Sequence, residues 1–479
     1  MSVLKQLFTF KKGGVHPNDQ KSLTEGLAIE PMPLPKEVAV MLGQHIGAPC
    51  TAQVKKGDTV TQGQCIGIVE KGLGTTVHSP CDGKVKVVGN AGHPLKIMAP
   101  AIVIEPAVQE TVKADDKTEI QSEAKEQAEA EAKEQAEAKE QAEAKEQAKN
   151  KVQVFSQRHE WASLEADELL NLVKEAGIVG AGGAGFPAHV KLKPPADVKI
   201  TELVINGAEC EPYLTADHRM MLECADGILE GIQIAMKILG VSKCLIGIEN
   251  NKMDAIEAMG KASEGKEGIS VCTLKTKYPQ GGERQLVYAL TGRRIASGAL
   301  PSSVGVVVQN ISTAYAIYEA VVLRKPMYER VMTISGRGIK RQANLRVAVG
   351  TRISDIVAYL GGTTDDLEKV ILGGPMMGFA TSDLSTPVTK TTSGILFLTK
   401  DETDLRAGGP CVRCGWCLDA CPMGLEPKEI ALYVEAGKGK ETAPFGVKDC
   451  FECGSCAFVC PAKRPLVQLI RLAKKSLPK

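Results

Sequence analysis

The pattern of apolar and polar positions divides the chain into segments with different predicted structures. Residues 31–108 are rich in Val, Ile, Gly and Pro, and stretches such as VKKGDTVTQGQCIGIV show short strands separated by Gly-Asp and Asp-Gly turns. This pattern predicts a small all-β module. Residues 151–325 alternate helical stretches such as ADGILEGIQIAMKILG with apolar runs such as ELVINGAE. That alternation predicts an α/β domain in which helices connect the strands of a parallel sheet.

The other segments have different patterns. Residues 1–30 form an N-terminal segment without a predicted element, and residues 326–400 show a hairpin, a short helix and further strands, which predicts a β-grasp-like module. Within residues 109–150 a six-residue repeat of Ala, Glu, Lys and Gln holds nothing more apolar than Ala. We interpret it as a solvated helical spacer, with a partner-binding coil as the alternative. Residues 401–479 are cysteine-rich and helical.

Length, charge and composition limit the functions to consider. A chain of 479 residues suggests about three domains, and a hydrophobic content of 43% allows a sizeable core. The net charge of +1 and the aromatic content of 4% argue against a nucleic-acid-binding protein. No apolar run approaches the roughly 20 residues needed to cross a bilayer, so we predict no membrane span.

The strongest chemical signal is the C-terminal cysteine pattern. Eight of the fifteen cysteines fall into two runs of spacing C-x-x-C-x-x-C-x-x-x-C-P. The runs are Cys411, Cys414, Cys417 and Cys421, and Cys450, Cys453, Cys456 and Cys460. Each has the spacing of bacterial ferredoxins, in which three thiolates on one tight loop bind three corners of a 4Fe–4S cluster. The fourth cysteine, on the following helix, points the other way.

In two-cluster proteins the fourth cysteine of each run binds the other cluster. We therefore assign the first predicted cluster to Cys411, Cys414, Cys417 and Cys460. The second takes Cys450, Cys453, Cys456 and Cys421. This exchange would hold the clusters close enough for electrons to pass between them. Zinc, which also accepts four thiolates, is the structural alternative.

A glycine-rich stretch, GAGGAGFPAHVK, runs from Gly180 to Lys191 and contains the G-x-G-x-x-G pattern of a dinucleotide-binding turn. A Rossmann turn follows a strand, whereas here the helical stretch DELLNLVKEAGIVG precedes the glycines. The context therefore contradicts a Rossmann domain. Small residues still expose backbone N–H groups to an anionic phosphate, and a purely structural turn is the alternative.

Three stretches resemble the NADH-binding flavoprotein subunit of respiratory complex I: GAGGAGFPAHVK, INGAECEP at Ile205–Pro212 and YPQGGERQLVYALTG at Tyr278–Gly292. The resemblance implies bound FMN, with NADH or NAD⁺ as substrate. By motif position it implies that the cofactor-binding residues are Gly180, Gly182, Gly183, Gly185, Lys191, Asn206, Glu209, Glu211, Glu283, Asn310 and Thr313.

The same resemblance implies individual roles. Lys191 would neutralise phosphate, and Glu211 would orient the nicotinamide or the ribose. No residue is assigned as a catalytic acid or base, because hydride chemistry belongs to the cofactors. Gly282-Glu283 replaces the family's paired acids and Ala208 replaces another acidic residue, so the adenosine end of the site departs from the family pattern.

The order of segments is similar to that of the C subunits of the Rnf complex, an ion-translocating ferredoxin:NAD⁺ oxidoreductase. GDTVTQG and SPCDGKV resemble the paired hairpins of lipoyl-type barrel-sandwich domains. The implied fold is a multidomain α/β protein with a lipoyl-like barrel-sandwich module, a complex-I-flavoprotein-like α/β domain, a β-grasp module and a helical ferredoxin-type domain with two 4Fe–4S clusters.

The resemblance to this family also implies a cellular role. The chain would be a peripheral subunit at the cytoplasmic face of the bacterial inner membrane, bound to membrane-embedded and peripheral subunits and linked to ferredoxin indirectly. Two alternatives are a soluble cobalamin reductase with FMN and iron–sulfur clusters, and an electron-relay adaptor with clusters but no flavin.

Overall fold

The structure, a computed structural model, describes residues 7–93, 96–107 and 155–477. The predicted spacer at 109–150 lies outside the described residues. The strands are β1 (Ile29–Pro31), β2 (Val38–Met41), β3 (Thr51–Ala52), β4 (Thr59–Val60), β5 (Cys65–Ile68), β6 (Val77–His78), β7 (Gly83–His93), β8 (Lys96–Pro106), β9 (Glu202–Gly207), β10 (Cys244–Glu249), β11 (Ile269–Leu274), β12 (Val306–Asn310), β13 (Glu329–Ser335), β14 (Ala343–Ala348), β15 (Leu367–Leu372), β16 (Phe379–Thr381) and β17 (Gly394–Thr399).

The α-helices are α1 (Ala166–Glu175), α2 (Ala188–Lys191), α3 (Ala216–Glu223), α4 (Ala225–Leu239), α5 (Met253–Ala262), α6 (Glu283–Thr291), α7 (Ile311–Val322), α8 (Ile353–Tyr359), α9 (Trp416–Asp419), α10 (Pro427–Glu435), α11 (Ser455–Phe458) and α12 (Leu466–Ser476). Short 3₁₀ turns lie at Lys21–Leu23, Pro301–Val304, Gly439–Phe445 and Val447–Asp449. No helix in the described part of the chain is both long and apolar enough to span a bilayer.

The first module is all-β, as the sequence predicted. One sheet has the strand order β2-β8-β7-β4 and the other has the order β3-β5-β6. All of their pairings are antiparallel. Alternate residues such as Val38, Val40, Ile102 and Ile104 point into one core between the sheets. This packing of two small sheets is that of a barrel-sandwich.

The central domain has four parallel strands in the order β11-β10-β9-β12. Strand β9 places Leu203 and Ile205 in one hydrophobic core and Val204 in another, so both faces of the sheet are covered. From β9 the chain moves outward to β10 and β11, then returns to the other side of β9 as β12. The strand order therefore reverses between β9 and β12, where open α/β sheets bind their ligands.

The third module is a six-stranded sheet in the order β1-β14-β13-β17-β15-β16, with α8 between β14 and β15. Its edge strand β1 comes from the N-terminal segment and pairs in parallel with β14. No element is predictable there, because a three-residue strand that ends in proline has no detectable periodicity. A strand from the start of the chain thus completes a sheet that is otherwise built from residues beyond 325.

The C-terminal module consists of short helices between the cysteine loops. Residues Ile430 on α10 and Leu466 and Ile470 on α12 form the centre of its core. The N-terminal segment also reaches the central domain, where Phe8 bridges to Leu274 and Val15 bridges to Tyr278. Segments that are distant in sequence therefore meet between the central domain and the cysteine loops.

Candidate functional site

Two predicted site residues lie opposite each other at the point where the strand order reverses. Asn206, near the end of β9, is the register partner of Asn310, the last residue of β12. The Asn206 Nδ2 atom donates to the Gly281 carbonyl at 2.9 Å. The Asn310 Oδ1 atom accepts from the Ser312 N–H at 2.9 Å and caps α7. Both amides therefore fix loops around one crevice.

The glycine loop, residues 180–185, joins this crevice from the segment between α1 and α2. Its base is closed by a bond from the Gly180 N–H to the Phe186 carbonyl at 2.9 Å. The Ala181 N–H donates to Thr313 Oγ1 at 2.9 Å, which attaches the loop to the first turn of α7. Helix α1 precedes the loop, so the conclusion that it is not a Rossmann turn is confirmed.

The glycines of this loop serve different needs. A Cβ atom at Gly182 would lie 2.9 Å from Asn310 Nδ2, so a close approach requires glycine. Gly185 has a φ of +71°, and a Cβ atom there would lie 2.6 Å from Thr391 Cγ2. By contrast, a Cβ atom at Gly183 would meet nothing within 4 Å. The Gly183 side of the loop is therefore open.

The open side of the loop has the chemistry of an anion site. In the part of the chain that the structure describes, the N–H groups of Gly182 and Gly183 make no hydrogen bond. Both residues are solvent-exposed. Adjacent unpaired N–H groups on a small-residue turn bind phosphate oxygens well, so these residues fit the phosphate of a nucleotide such as FMN.

Two of the three predicted glutamates, Glu209 and Glu211, belong to the same stretch but have different environments. Both carboxylate oxygens of Glu209 accept backbone N–H groups at the start of α3, from Asp217 at 2.7 Å and from His218 at 3.0 Å. Burial raises the pKa of Glu209. This carboxylate is therefore occupied in holding α3 next to the crevice.

Glu211 lies at the junction with two other segments. Its Oε2 atom accepts from the Met376 N–H at 3.1 Å, and its Oε1 atom is 3.3 Å from the hydroxyl group of Tyr278. Loss of solvation raises the pKa of Glu211 to about 7. A carboxyl group with this pKa can take up or release a proton near neutral pH.

Lys191 and Glu283 form an ion pair, with the Lys191 Nζ atom 2.7 Å from Glu283 Oε1. The Nζ atom also donates to the Val308 carbonyl at 3.3 Å. The two residues were predicted separately, and the structure brings them together. Because Glu283 already balances the ammonium charge, Lys191 would meet a phosphate only as a member of this pair.

Three residues that the sequence analysis did not single out also shape the site. Asp217 accepts from Asn310 Nδ2 and from Ser312 Oγ, each at 2.6 Å. Arg330 is buried, donates to the Ala181 carbonyl at 3.2 Å and leaves its Nε atom without a partner, while burial lowers its pKa to about 10. Lys21 is buried and donates to the Glu211 carbonyl at 3.0 Å. None belongs to a motif, because each acts through a partner that is distant in sequence.

The eight C-terminal cysteines surround two cavities. The outer cavity is lined by Cys411, Cys414, Cys417 and Cys460. The inner cavity is lined by Cys421, Cys450, Cys453 and Cys456. Each cavity thus combines three cysteines of one run with the last cysteine of the other. This is the grouping that the exchange of fourth cysteines predicts.

The cavities differ in exposure. Cys414 of the outer cavity is exposed, whereas Cys421, Cys453 and Cys456 of the inner cavity are buried. Burial raises the pKa of the Cys450 thiol to about 11, and bound iron would reverse this effect by deprotonating its ligands. In the described ranges, no three or more His, Cys, Asp or Glu side chains are arranged to hold a metal ion.

The comparisons with known families agree with this architecture. Residues 8–109 match the RnfC barrel sandwich hybrid domain, and residues 173–319 match the Nuo51 FMN-binding domain. Residues 331–380 match the SLBB domain, and residues 410–463 match the 4Fe-4S dicluster domain. The fold and its sites therefore define an oxidoreductase subunit that combines an FMN-binding domain with two iron–sulfur clusters.

The full-length relatives are more specific. The C subunit of the proton-translocating ferredoxin:NAD(+) oxidoreductase complex of Clostridium ljungdahlii is 43% identical, over 97% of this chain and 93% of that protein. The C subunit of the Na(+)-translocating ferredoxin:NAD(+) oxidoreductase complex of Acetobacterium woodii is 39% identical, over 97% of this chain and 96% of that protein. The C subunit of the ion-translocating oxidoreductase complex of Rhodobacter capsulatus is 39% identical, over 97% of this chain and 83% of that protein.

The chain belongs to the family of C subunits of ion-translocating ferredoxin:NAD(+) oxidoreductase complexes. The predicted family, multidomain fold and cofactor classes are confirmed. The FMN-binding domain speaks against an adaptor without flavin. The relatives are subunits of larger complexes, so this chain has other subunits as partners.

Proposed function

We propose that this protein passes electrons between NAD(H) and the other subunits of its complex. The glycine loop would hold the FMN phosphate, with Asn206, Asn310 and Glu211 around the crevice. The outer and inner cysteine cavities would each bind one 4Fe–4S cluster through the four thiolates that line them. Bound FMN would supply the conversion between a two-electron hydride and single electrons.

The observation that carries this proposal is the contact between the crevice and the inner cavity. The Tyr278 hydroxyl group lies 2.6 Å from the Cys453 carbonyl oxygen and 3.3 Å from Glu211 Oε1. The Tyr278 side chain therefore contacts both Glu211, which we place at the crevice, and Cys453, which lines the inner cavity. The inner cluster would be the first electron partner of the flavin site, because these groups are in direct contact.

The outer cavity would be the exit toward other subunits. Cys414 is exposed, and the neighbouring apolar residues Val412 and Trp416 are 64% and 56% exposed. Exposed aromatic residues are common at protein interfaces. The relatives' names support partners in an ion-translocating complex with ferredoxin as a redox partner. We place the protein peripherally, at the cytoplasmic face of the bacterial inner membrane.

The order of electron transfer can be tested by removing one ligand from each cavity. In Cys453→Ser, NADH should still bleach the bound FMN, while the outer cluster should stay oxidised in rapid freeze-quench electron paramagnetic resonance spectra. In Cys414→Ser, NADH should reduce both the FMN and the inner cluster. Cys65→Ser, in the barrel-sandwich module, is the matched control and should behave like the unchanged protein.

Two results would contradict the proposal. One is full reduction of the outer cluster by NADH in Cys453→Ser, which would show that electrons bypass the inner cavity. The other is a purified protein that binds FMN and iron yet is not reduced by NADH. Association with other subunits is tested separately, by asking whether the protein co-purifies with the membrane fraction of cells and is released by high salt.

A further inference from the structure

Tyr278 lies at a junction of four segments. Its side chain is 2% exposed and packs in one apolar cluster with Val15, Ala420 and Cys453. These residues belong to the N-terminal segment, the end of the first cysteine run and the second cysteine run. Tyr278 itself precedes α6 in the central domain. A tyrosine of the nucleotide-binding domain thus packs against Cys453, one of the cysteines that line the inner cavity.

The backbone of Tyr278 is fixed by the N-terminal segment. The Tyr278 N–H donates to the Val15 carbonyl at 2.9 Å, and the Val15 N–H donates to the Tyr278 carbonyl at 2.8 Å. One residue earlier, the Gly14 N–H donates to the Ala420 carbonyl at 2.9 Å, next to Cys421. The two segments that supply the thiols of the inner cavity therefore both contact this junction. They are the segment of Cys421 and the Cys450–Cys456 run.

The hydroxyl group of Tyr278 has one proton and two neighbouring acceptors. The Cys453 carbonyl oxygen is at 2.6 Å, and Glu211 Oε1 is at 3.3 Å. The shorter distance assigns the proton to Cys453. Without the hydrogen bond from Tyr278, the Cys453 carbonyl group would lie in apolar surroundings with no other hydrogen-bond donor described for it. A buried carbonyl group in that state is unfavourable.

A second connection joins the same two places. The Met376 N–H donates to Glu211 Oε2 at 3.1 Å. The Met376 carbonyl group packs closely against the loop that lines the inner cavity. A Cβ atom at Gly454 of this loop would lie 2.6 Å from the Met376 carbonyl oxygen. Glu211 is thus linked to the Cys453–Gly454 loop through both Tyr278 and Met376. The geometry of the inner ligand loop is therefore fixed relative to the crevice.

We propose that Tyr278 is a positioning residue for the inner iron–sulfur cluster, through the hydrogen bond from its hydroxyl group to the Cys453 carbonyl oxygen. The inference rests on the proposed function, since it requires a cluster in the inner cavity. A donor pointing at a ligand loop stabilises the additional negative charge of the reduced cluster, and such outer contacts tune reduction potentials. The hydrogen bond therefore raises the reduction potential of the inner cluster. It also fixes the position of the inner cluster relative to the flavin site.

The test compares Tyr278→Phe with Tyr288→Phe in the full-length protein loaded with FMN and iron. Tyr288 is a half-exposed tyrosine on α6, and its ring is stacked against Arg294. The inner-cluster signal is identified as the one that Cys453→Ser removes. Redox titration followed by electron paramagnetic resonance should show a lower inner-cluster potential in Tyr278→Phe and an unchanged outer-cluster potential. Reduction of the inner cluster by NADH should be several-fold slower.

The outcomes separate this inference from the proposed function. Loss of the inner cluster alone in Tyr278→Phe, with the outer cluster and FMN retained, also supports positioning by Tyr278. An inner-cluster potential and reduction rate equal to those of Tyr288→Phe would overturn the inference and leave the proposed function standing. So would loss of both clusters and FMN together, since that indicates a general structural role. The absence of an inner-cluster signal in the unchanged protein would instead overturn the proposed function.

Discussion

Replacement of Gly183 by alanine tests directly whether the glycine loop is a phosphate site. A Cβ atom at Gly183 would meet nothing within 4 Å, and the residue does not have a positive φ. The folded protein therefore accommodates the methyl group without strain. Because alanine restricts the unfolded chain, the flavin-free protein should be stabilised by about 0.4–1 kcal/mol.

The same methyl group occupies the open side of the loop, where we place the FMN phosphate. Loss of one hydrogen bond from an N–H group to a charged oxygen costs about 1.5–3 kcal/mol. At 1.36 kcal/mol for each factor of ten, we expect FMN to bind about 10- to 150-fold more weakly. The dissociation constant is measured by the quenching of FMN fluorescence on titration with flavin-free protein, and stability is measured by thermal unfolding.

Gly260→Ala is the matched control. Gly260 lies on α5, outside the glycine loop, and a Cβ atom there would likewise meet nothing within 4 Å. This variant should bind FMN normally. If Gly183→Ala binds FMN as tightly as Gly260→Ala does, the glycine loop does not hold the phosphate and our assignment of the site is wrong.

Two further predictions concern stability. The pKa of Glu211 is raised from 4.5 to about 7 in the folded protein, so its contribution to stability is present below pH 4.5 and is lost, by about 3 kcal/mol, as the pH rises through 7. In thermal unfolding, Glu211→Gln should therefore become more stable relative to the unchanged protein as the pH rises across this range. A stability difference that does not depend on pH would contradict the raised pKa. Lys325 is 2.7 Å from Glu319 and 2.6 Å from Glu329, and all three are largely buried. Lys325→Met should lower the free energy of unfolding by about 3–5 kcal/mol, measured with urea, because Arg346 would be the remaining cation that pairs with the two buried carboxylates. Lys325→Arg should retain most of the stability. Equal urea midpoints for the two variants would refute the argument.

Parts of the fold and site were predictable because their causes are local. Strand alternation in the barrel-sandwich module, the helix before the glycine loop and the repeated cysteine spacing all depend on residues within one segment. The helix before Gly180 was enough to reject a Rossmann turn. The cysteine spacing was enough to predict which four thiols would line each cavity. The predicted position of the fourth cysteine on a helix was wrong, because α9 and α11 are short and end before Cys421 and Cys460.

Other parts depend on contacts between distant segments. The pairing of Lys191 with Glu283 joins the last residue of α2 to the first residue of α6, and it changes an apparently free cation into a neutral pair. Glu209 and Glu211 are two positions apart in one motif, yet Glu209 accepts N–H groups at the start of α3 and Glu211 contacts Tyr278 and Met376. Strand β1 escaped prediction because its pairing with β14, rather than its own three residues, makes it a strand.

The sequence by itself determined the classes of chemistry: thiolates in two ferredoxin-type runs, a glycine loop able to bind phosphate, and a chain of separate modules. These features follow from residue type and short spacing, which do not depend on how distant segments of the chain pack together. Only the tertiary structure decided how the modules are connected. Tyr278 contacts the Cys453 carbonyl group because four segments fold onto one another, and no local pattern encodes a hydrogen bond between residues 175 positions apart.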